Sequence, residues 1–223
     1  MNSNFLDALA GFRLYPLTDR RLSGISHAEQ VSKLCGAGAT LVQLREKILA
    51  PLDFYREAAA ALRIARDRGA KIIVNDRVDI ALALKADGVH LGQDDLPPEA
   101  ARRILGPDAI IGFSTHNLEQ ARLAARMPVD YVAIGPIFAT STKRGSDSPV
   151  GLQGLRLVRQ AVGKVPLVAI GGITAENGQD VLSAGADAIA VIRDLWISDG
   201  QAKAQTKRLR DHLYAAFFGK QHN

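Results

Sequence analysis

Acidic residues follow two neighbouring predicted strands near the middle of the chain. Asp76 comes after Asn75 and the apolar run Ile72–Val74, and Asp95 follows the short apolar segment Gly88–Leu91. A right-handed crossover between neighbouring parallel strands brings both strand ends to the same rim, and adjacent strands lie about 5 Å apart. The two carboxylates could therefore share one small, hard cation. The alternative is that each aspartate caps the helix after its strand, where this residue type is common.

The second predicted strand ends in a set of cationic and amide side chains. Gln43, Arg45 and Lys47 are alternate residues, so in an extended segment they point to the same side. A guanidinium, an ammonium and an amide that converge in this way would suit a polyanion such as diphosphate. The same spacing also fits a charged loop that is merely solvated, and the motif alone does not decide between the two.

Hydroxyl groups and a further cation follow the fifth and sixth predicted strands. Ser114 ends the fifth strand and could donate to a phosphate. The connection 135–151 after the sixth strand is long for a compact α/β protein, and such connections are usually binding loops or lids. Its composition suits phosphate, with the residues Thr140, Ser141, Thr142 and Lys143. The alternative is a flexible surface loop.

Two residue pairs occupy the turns after the seventh and eighth predicted strands. Gly171 and Gly172 follow the seventh strand, and Ile192 and Arg193 follow the eighth. Barrels of alternating strands and helices often bind a phosphate group at these two places through backbone N–H groups. Glycine allows a ligand to approach the backbone closely. The sequence therefore predicts a second anion site beside the first.

Histidine and cysteine do not form a nucleophilic arrangement in this pattern. His90 lies within the fourth strand, where we expect a buried ring with satisfied hydrogen bonds, and we expect His116 to bind the local backbone. Cys35 falls near a helix end and not after a strand. Covalent nucleophilic catalysis is therefore not expected.

Strands and helices alternate along the whole chain, which predicts an α/β fold, a single-domain (β/α)8 TIM barrel over residues 1–223. An open doubly wound sheet would usually show fewer such units and a glycine-rich first turn. Residues 1–11 form a lead-in, and a helix over 201–218 closes the chain. The predicted strands are Phe12–Leu17, Thr40–Leu44, Ile72–Val74, Gly88–Leu91, Ala109–Gly112, Asp130–Ile134, Pro166–Ile170 and Ala188–Ile192. The predicted helices include Ser26–Cys35, Pro51–Arg68, Arg77–Lys85, a helix from Asn117 and one capped by Thr174.

Composition limits the partners and the compartment. The net charge of +5 favours anionic partners, but the basic residues are scattered and aromatics make up only 5%, so small phosphorylated molecules fit better than nucleic acid. No apolar stretch reaches membrane-spanning length, and no segment has the pattern of a signal peptide. A single cysteine fits a reducing compartment, so we expect a cytoplasmic protein. The sequence leaves open whether the chain forms a homo-oligomer.

These motifs, in this order, resemble those of the thiamine phosphate synthase (thiamine-phosphate diphosphorylase) family. The resemblance extends from Tyr15-Pro16-Leu17-Thr18-Asp19 to the eighth strand. Its most specific parts are Gln43-Leu44-Arg45-Glu46-Lys47, Asn75-Asp76, His90-Leu91-Gly92-Gln93-Asp94-Asp95, Gly135-Pro136-Ile137-Phe138 with Thr140-Ser141-Thr142-Lys143, and Ile170-Gly171-Gly172-Ile173.

The resemblance implies a transferase that joins a hydroxymethylpyrimidine diphosphate to a thiazole phosphate and releases diphosphate. It implies Asp76 and Asp95 as ligands of Mg²⁺. It also implies a substrate-binding set that contacts the pyrimidine diphosphate: Gln43, Arg45, Lys47, Asn75, Ser114 and Lys143. Within this set Arg45, Lys47 and Lys143 would assist catalysis by neutralising the leaving diphosphate, and Ser114 would assist by donating a hydrogen bond to phosphate. The thiazole phosphate would be held by Thr140, Thr142, Gly172, Val191 and Ile192.

One position departs from the family pattern, and two other functions remain in view. The family commonly has a small hydroxyl residue after strand eight, where this chain has Arg193, so the thiazole side is less well defined than the diphosphate side. A thiazole tautomerase on the same barrel would need neither paired metal carboxylates nor a diphosphate site. A non-catalytic barrel that binds the thiazole phosphate is the other alternative.

Overall fold

Eight parallel strands close into a barrel in this computed structural model, which describes residues 4–9, 13–140 and 148–196. Each strand pairs with the next along the chain, and the first pairs with the eighth to complete the ring. The predicted (β/α)8 fold is confirmed. The strands are β1 Leu14–Thr18, β2 Leu41–Leu44, β3 Lys71–Asn75, β4 Gly88–Leu91, β5 Ile110–Thr115, β6 Tyr131–Ile134, β7 Leu167–Ile170 and β8 Ala188–Val191.

Helices surround the barrel and connect its strands. In the described ranges they are α1 Asn4–Ala8, α2 Arg20–Ser23, α3 His27–Gly36, α4 Pro51–Asp67, α5 Val78–Leu84, α6 Pro98–Leu105, α7 Leu118–Ala124, α8 Gly151–Val162, α9 Gly178–Ser183 and α10 Arg193–Trp196. None of these helices combines the length and the hydropathy that crossing a bilayer requires. The predicted closing helix 201–218 lies outside the described residues.

Local sequence signals explain several of the helix starts. Ser26 accepts a hydrogen bond from the Glu29 N–H at the start of α3, and Asn117 caps α7 in the same way. Pro51 opens α4, where its missing N–H costs nothing. The predicted cap at Thr174 is wrong. The helix begins four residues later because the Asn177 side chain accepts from the Thr174 N–H (2.9 Å) and holds residues 174–177 as a turn.

Two further differences concern the elements between β4 and β7. Strand β5 continues three residues past the predicted end at Gly112, so Ser114 lies within the strand. Helix α8 was not predicted, because it begins at Gly151 with φ of +66° and without a side-chain cap at Val150. The lead-in over residues 1–11 contains the short helix α1.

The core has two layers, one inside the barrel and one between the strands and the helices. Helix α1 covers the end of the barrel where the strands begin, since Phe5 is fully buried and its ring stacks on Tyr131 at a centroid distance of 4.0 Å. Thr40 donates to the Ala8 carbonyl (2.7 Å) and ties the same helix to β2. Gly112 leaves the space that the Tyr131 ring fills. Helix α1 and these side chains therefore seal the barrel end where the strands begin.

Aspartates fix the strand register at the sealed end. Asp87, Asp130 and Asp187 each precede an even-numbered strand, and each accepts a hydrogen bond of 2.8 Å from a backbone N–H of the preceding strand. In return, the backbone N–H of each aspartate donates to the carbonyl of the strand residue whose N–H its carboxylate binds. Arginines bind two of these carboxylates, Arg102 at Asp130 (2.6 Å) and Arg159 at Asp187 (2.7 Å).

Candidate active site

The acids that follow β3 and β4 lie side by side at the rim where the strands end. The carboxyl groups of Asp76 and Asp95 lie close enough for Asp95 to contribute to the raised pKa of Asp76. Asp76 has a φ of +62°, and its N–H donates to the His90 carbonyl (2.8 Å), so the backbone bends its side chain across β4. Asp95 accepts from the Gly92 N–H (2.7 Å), which turns its carboxylate back toward the same strand end.

Neither acid is the cap of the helix after it. The N-cap residues are Arg77 for α5 and Pro97 for α6, and neither helix start has a side-chain cap. The helix-cap interpretation of these two acids is therefore wrong, and the chain brings them together instead. Burial raises the pKa of Asp76, Lys47 opposes that shift, and the neighbouring Asp95 charge adds to it.

The carboxylate pair has the chemistry of a magnesium site. Mg²⁺ is commonly bound through one or two carboxylates, with water and substrate phosphate as the other ligands. Across the described ranges no group of three or more His, Cys, Asp or Glu side chains that could hold a metal occurs, so a cation bound at this pair would need further ligands from water or substrate. A cation between the two carboxylates would also relieve the repulsion that raises the pKa of Asp76.

The cationic residues after β2 lie beside this pair. The Lys47 ammonium forms an ion pair with the Asp76 carboxylate, and half of the lysine side chain is exposed. Arg45 turns to the β1 side, where its guanidinium donates to Asp19 (2.6 Å). The two cations thus belong to one loop at the same rim, but they have different carboxylate partners, on the β1 side for Arg45 and on the β3 side for Lys47.

A chain of buried hydrogen bonds forms the floor below the rim. Gln43 donates to the Tyr15 hydroxyl (3.2 Å), which lies 3.1 Å from the Tyr131 hydroxyl. His90 contacts that hydroxyl through Nδ1 and Ser114 Oγ through Nε2, both at 2.8 Å. Burial lowers the pKa of His90 to about 4, so the imidazole is neutral near pH 7. The expectation of a satisfied core histidine is confirmed.

Glycines after β7 serve the packing between two loops. Gly171 and Gly172 have φ values of +100° and +66°, and a Cβ on Gly172 would come within 2.7 Å of the Phe138 Cβ. The Phe138 N–H also donates to the Gly171 carbonyl (3.0 Å). The glycines therefore let the turn after β7 lie directly against the turn after β6, and this close fit shapes the predicted phosphate side of the rim.

The remaining predicted site residues divide between described and undescribed parts of the chain. Asn75 and Val191 are buried at the ends of β3 and β8, Ile192 and Thr140 are half-buried, and Arg193 is exposed at the start of α10. His116 Nδ1 contacts the Gly135 carbonyl at 2.7 Å, as expected of a ring tied to the backbone. Ser141, Thr142 and Lys143 lie outside the described residues.

Several residues at this rim received no individual role in the sequence analysis. Tyr15 and Tyr131 complete the floor, and Asp19 binds Arg45. Glu46 lies within the cationic loop, and His27 contacts it from the start of α3. A usable signal existed for Asp19 alone, because it directly follows β1 and so belongs to the rim.

The fold and this rim define the chain as a (β/α)8-barrel protein that gathers carboxylates, cations and hydroxyls where its strands end. The family model described as thiamine monophosphate synthase matches residues 14–195. The chain belongs to the thiamine monophosphate synthase family.

Relatives agree with this assignment over most of the chain. A thiamine-phosphate synthase from Chloroflexus aurantiacus is 46% identical over 203 residues, which is 91% of this chain and 93% of the relative. One from Clostridium novyi is also 46% identical, over 84% of this chain and 92% of the relative. The structure of the thiamine phosphate pyrophosphorylase from Pyrococcus furiosus has a TM-score of 0.82 and 37% identity, and the match covers 92% of this chain and 97% of that one.

Proposed function

We propose that this chain is a thiamine-phosphate synthase, a transferase that joins hydroxymethylpyrimidine diphosphate to thiazole phosphate and releases diphosphate. The observation that carries this proposal is the Asp76–Asp95 carboxylate pair with Lys47 against it, on the rim of a barrel from this family. Relatives with 46% identity and nearly full coverage support the same activity.

The diphosphate would lie over the loop after β2 and the ends of β3 to β5. Lys47 and Arg45 supply two positive charges there, Lys143 would supply a third, and Ser114 and Asn75 supply hydrogen-bonding groups. Diphosphate leaves readily only when its negative charge is neutralised, so these side chains would lower the barrier by stabilising the charge that develops on the leaving oxygen. Gln43, held at the floor by Tyr15, would contact the pyrimidine ring.

Asp76 and Asp95 would hold Mg²⁺ at this position. When bound, Mg²⁺ would add positive charge next to the diphosphate and help to neutralise the leaving group. The two aspartates would contribute the ligands and fix the place of that charge relative to Lys47, because their side chains are held by the turned backbone at Asp76 and by the Gly92 N–H at Asp95.

The reaction needs no general base. The bond between the pyrimidine methylene carbon and the diphosphate oxygen breaks, and the oxygen keeps the electron pair. The thiazole nitrogen then uses its free lone pair to form the new carbon–nitrogen bond, so no proton has to be removed. This agrees with a neutral, fully hydrogen-bonded His90 and with rate enhancement by positioning and electrostatics.

The thiazole phosphate would lie on the opposite side of the rim, over the ends of β6 to β8. Thr140, Thr142, Gly172, Val191 and Ile192 would surround it. The turns after β6 and β7 are locked together by the Gly171 carbonyl and the Phe138 N–H, which keeps this side of the pocket in place. We also propose a single-domain protein that acts in the cytoplasm on small-molecule substrates.

The direct test supplies the purified protein with both substrates and Mg²⁺ and measures thiamine phosphate. Formation of thiamine phosphate that requires Mg²⁺ and the pyrimidine diphosphate would support the proposal. Isomerisation of a thiazole phosphate in the absence of the pyrimidine substrate would assign the chain to the tautomerases. Binding of the thiazole phosphate without any turnover would make it a non-catalytic member of the family.

A further inference from the structure

Glu46 lies in the middle of the cationic loop, but its carboxylate turns away from the rim. One oxygen, Oε1, accepts backbone hydrogen bonds from Lys47 (2.8 Å), Ile48 (2.7 Å) and Leu49 (3.2 Å). Only 6% of the side chain is exposed, whereas half of the neighbouring Lys47 side chain is exposed. Glu46 therefore folds the loop around its own carboxylate, and its second oxygen faces the barrel wall.

His27 contacts that second oxygen. The fully buried imidazole lies at the start of α3, with Nε2 at 3.1 Å from Glu46 Oε2 and Nδ1 at 2.7 Å from Thr18 Oγ1. The His27 backbone N–H donates to Glu57 (3.0 Å), and the ring packs against Phe54. Contacts on several sides therefore fix the position of the imidazole.

Thr18 closes the circuit back to the cationic loop. Its hydroxyl oxygen accepts a hydrogen bond from the Arg45 N–H (3.2 Å). Burial lowers the pKa of His27, which favours a neutral ring. In a neutral ring Nε2–H donates to Glu46, and the Thr18 hydroxyl gives its one proton to Nδ1 (2.7 Å) in preference to the more distant Gln43 carbonyl (3.3 Å). The hydrogen bonds then run from the backbone of Arg45 through these side chains to the backbone of Lys47.

We propose that Thr18, His27 and Glu46 form a positioning relay that holds Arg45 and Lys47 in the orientation needed to bind the diphosphate of the pyrimidine substrate. This inference rests on the proposed function. None of the three side chains would touch substrate, because both Glu46 oxygens, both ring nitrogens and the Thr18 hydroxyl are bonded to the protein.

A positioning role predicts a selective effect on one substrate. Loosening the loop would move the two cations relative to the diphosphate. A misplacement of about 1 Å can lower the reaction rate on the order of 100-fold. The thiazole phosphate would be held by residues after β6 to β8, which the relay does not contact. The KM of the pyrimidine diphosphate should therefore rise while the KM of the thiazole phosphate stays nearly constant.

The test compares Thr18→Val, which deletes the hydroxyl in a side chain of equal shape, with Thr18→Ser, which keeps it. We expect Thr18→Val to raise the KM of the pyrimidine diphosphate about tenfold and Thr18→Ser to stay within about twofold of the parent. Glu46→Ala should have the same selective effect. This variant serves as the test if Thr18→Val does not fold, because water can bind the loop N–H groups that the Glu46 carboxylate no longer binds.

Asp130→Asn is the matched control for a merely structural effect. It weakens a similar carboxylate contact to a backbone N–H (Ile111, 2.8 Å) and to Arg102, but at the sealed end of the barrel. It should lower the melting temperature and leave both KM values unchanged. The relay is refuted if Thr18→Val and Glu46→Ala change both KM values equally, or lower only the melting temperature as Asp130→Asn does.

Binding of inorganic diphosphate with Mg²⁺, measured by calorimetry, separates this inference from the proposed function. Weaker binding by Thr18→Val and not by Thr18→Ser would support the relay even if the parent protein made no thiamine phosphate. Synthesis by the parent protein, together with equal diphosphate binding by all variants, would overturn the relay and leave the proposed function intact.

Discussion

Replacing Asp95 by asparagine tests the carboxylate pair with little change to the fold. The amide oxygen of the substituted side chain can still accept from the Gly92 N–H, which Asp95 now binds at 2.7 Å. A hydrogen bond to a charged group is worth about 1.5–3 kcal/mol and a neutral one about 1 kcal/mol, so roughly 1 kcal/mol is lost at this contact. Removing the negative charge also ends its repulsion of Asp76, which offsets that loss.

The same change should strongly weaken magnesium binding. It deletes one of two anionic ligands, and changes in the groups that merely orient metal ligands already cost about 10–100-fold in affinity. We therefore expect the Mg²⁺ concentration for half-maximal thiamine phosphate synthesis to rise by at least about 100-fold, and calorimetry with Mg²⁺ and inorganic diphosphate to show the same loss. The melting temperature without Mg²⁺ should change little.

Asp94→Asn is the control, because Asp94 is exposed and immediately precedes Asp95. It should leave the magnesium titration unchanged. An unaltered titration in Asp95→Asn would remove this residue from the metal site and refute the argument from the paired strand ends. Equal losses in the two variants would show that the negative charge of the region matters, and not the position of one carboxylate.

Three further predictions concern stability. Gly172→Ala should lower the free energy of unfolding by about 2–3 kcal/mol, because of its φ of +66° and the 2.7 Å contact with Phe138. Gly24→Ala, with similar φ but no atom within 4 Å, should cost only about 1 kcal/mol, and equal losses in thermal unfolding would contradict this explanation. The pKa of His90, lowered from 6.5 to about 4, means that the unfolded chain takes up the proton first, so stability should fall as the pH drops from about 6.5 towards 4. His90→Asn should reduce that slope in urea titrations at several pH values, and an unchanged slope would show that His90 does not cause it. Phe5→Ala should cost about 3–5 kcal/mol in urea unfolding, since the ring is fully buried and stacked at the sealed end, and a loss below about 1 kcal/mol would show that α1 does not seal the barrel.

Regular patterns made most of the barrel predictable. Strand β4, Gly88–Leu91, matches its predicted bounds because polar residues and turns border a short apolar run. Helix α8 lacked such borders, since it follows a loop without periodicity and starts at a glycine with positive φ. Patterns of hydrophobicity thus identify elements with clear ends and miss those whose start is set by the fold.

The site was predictable only as far as the order of strands determines it. Asp76 and Asp95 lie together because neighbouring parallel strands end at one rim, a rule that the sequence alone can use. The contacts of Thr18 and His27 with Glu46 join residues from β1, α3 and the loop after β2. Nothing in the spacing indicates these contacts, because they depend on how a helix lies on the barrel wall. The glycines after β7 were read as space for a ligand, and the structure shows that they also fit one loop against another.

The aspartates before β4, β6 and β8 have a consequence for how this chain tolerates change. Each one bonds a strand to its predecessor at the end remote from the candidate active site. The register of neighbouring strands is therefore set independently of the loops at the opposite end of the barrel. Those loops could be shortened, lengthened or exchanged during evolution without shifting the strands, so new specificities can arise on an unchanged barrel.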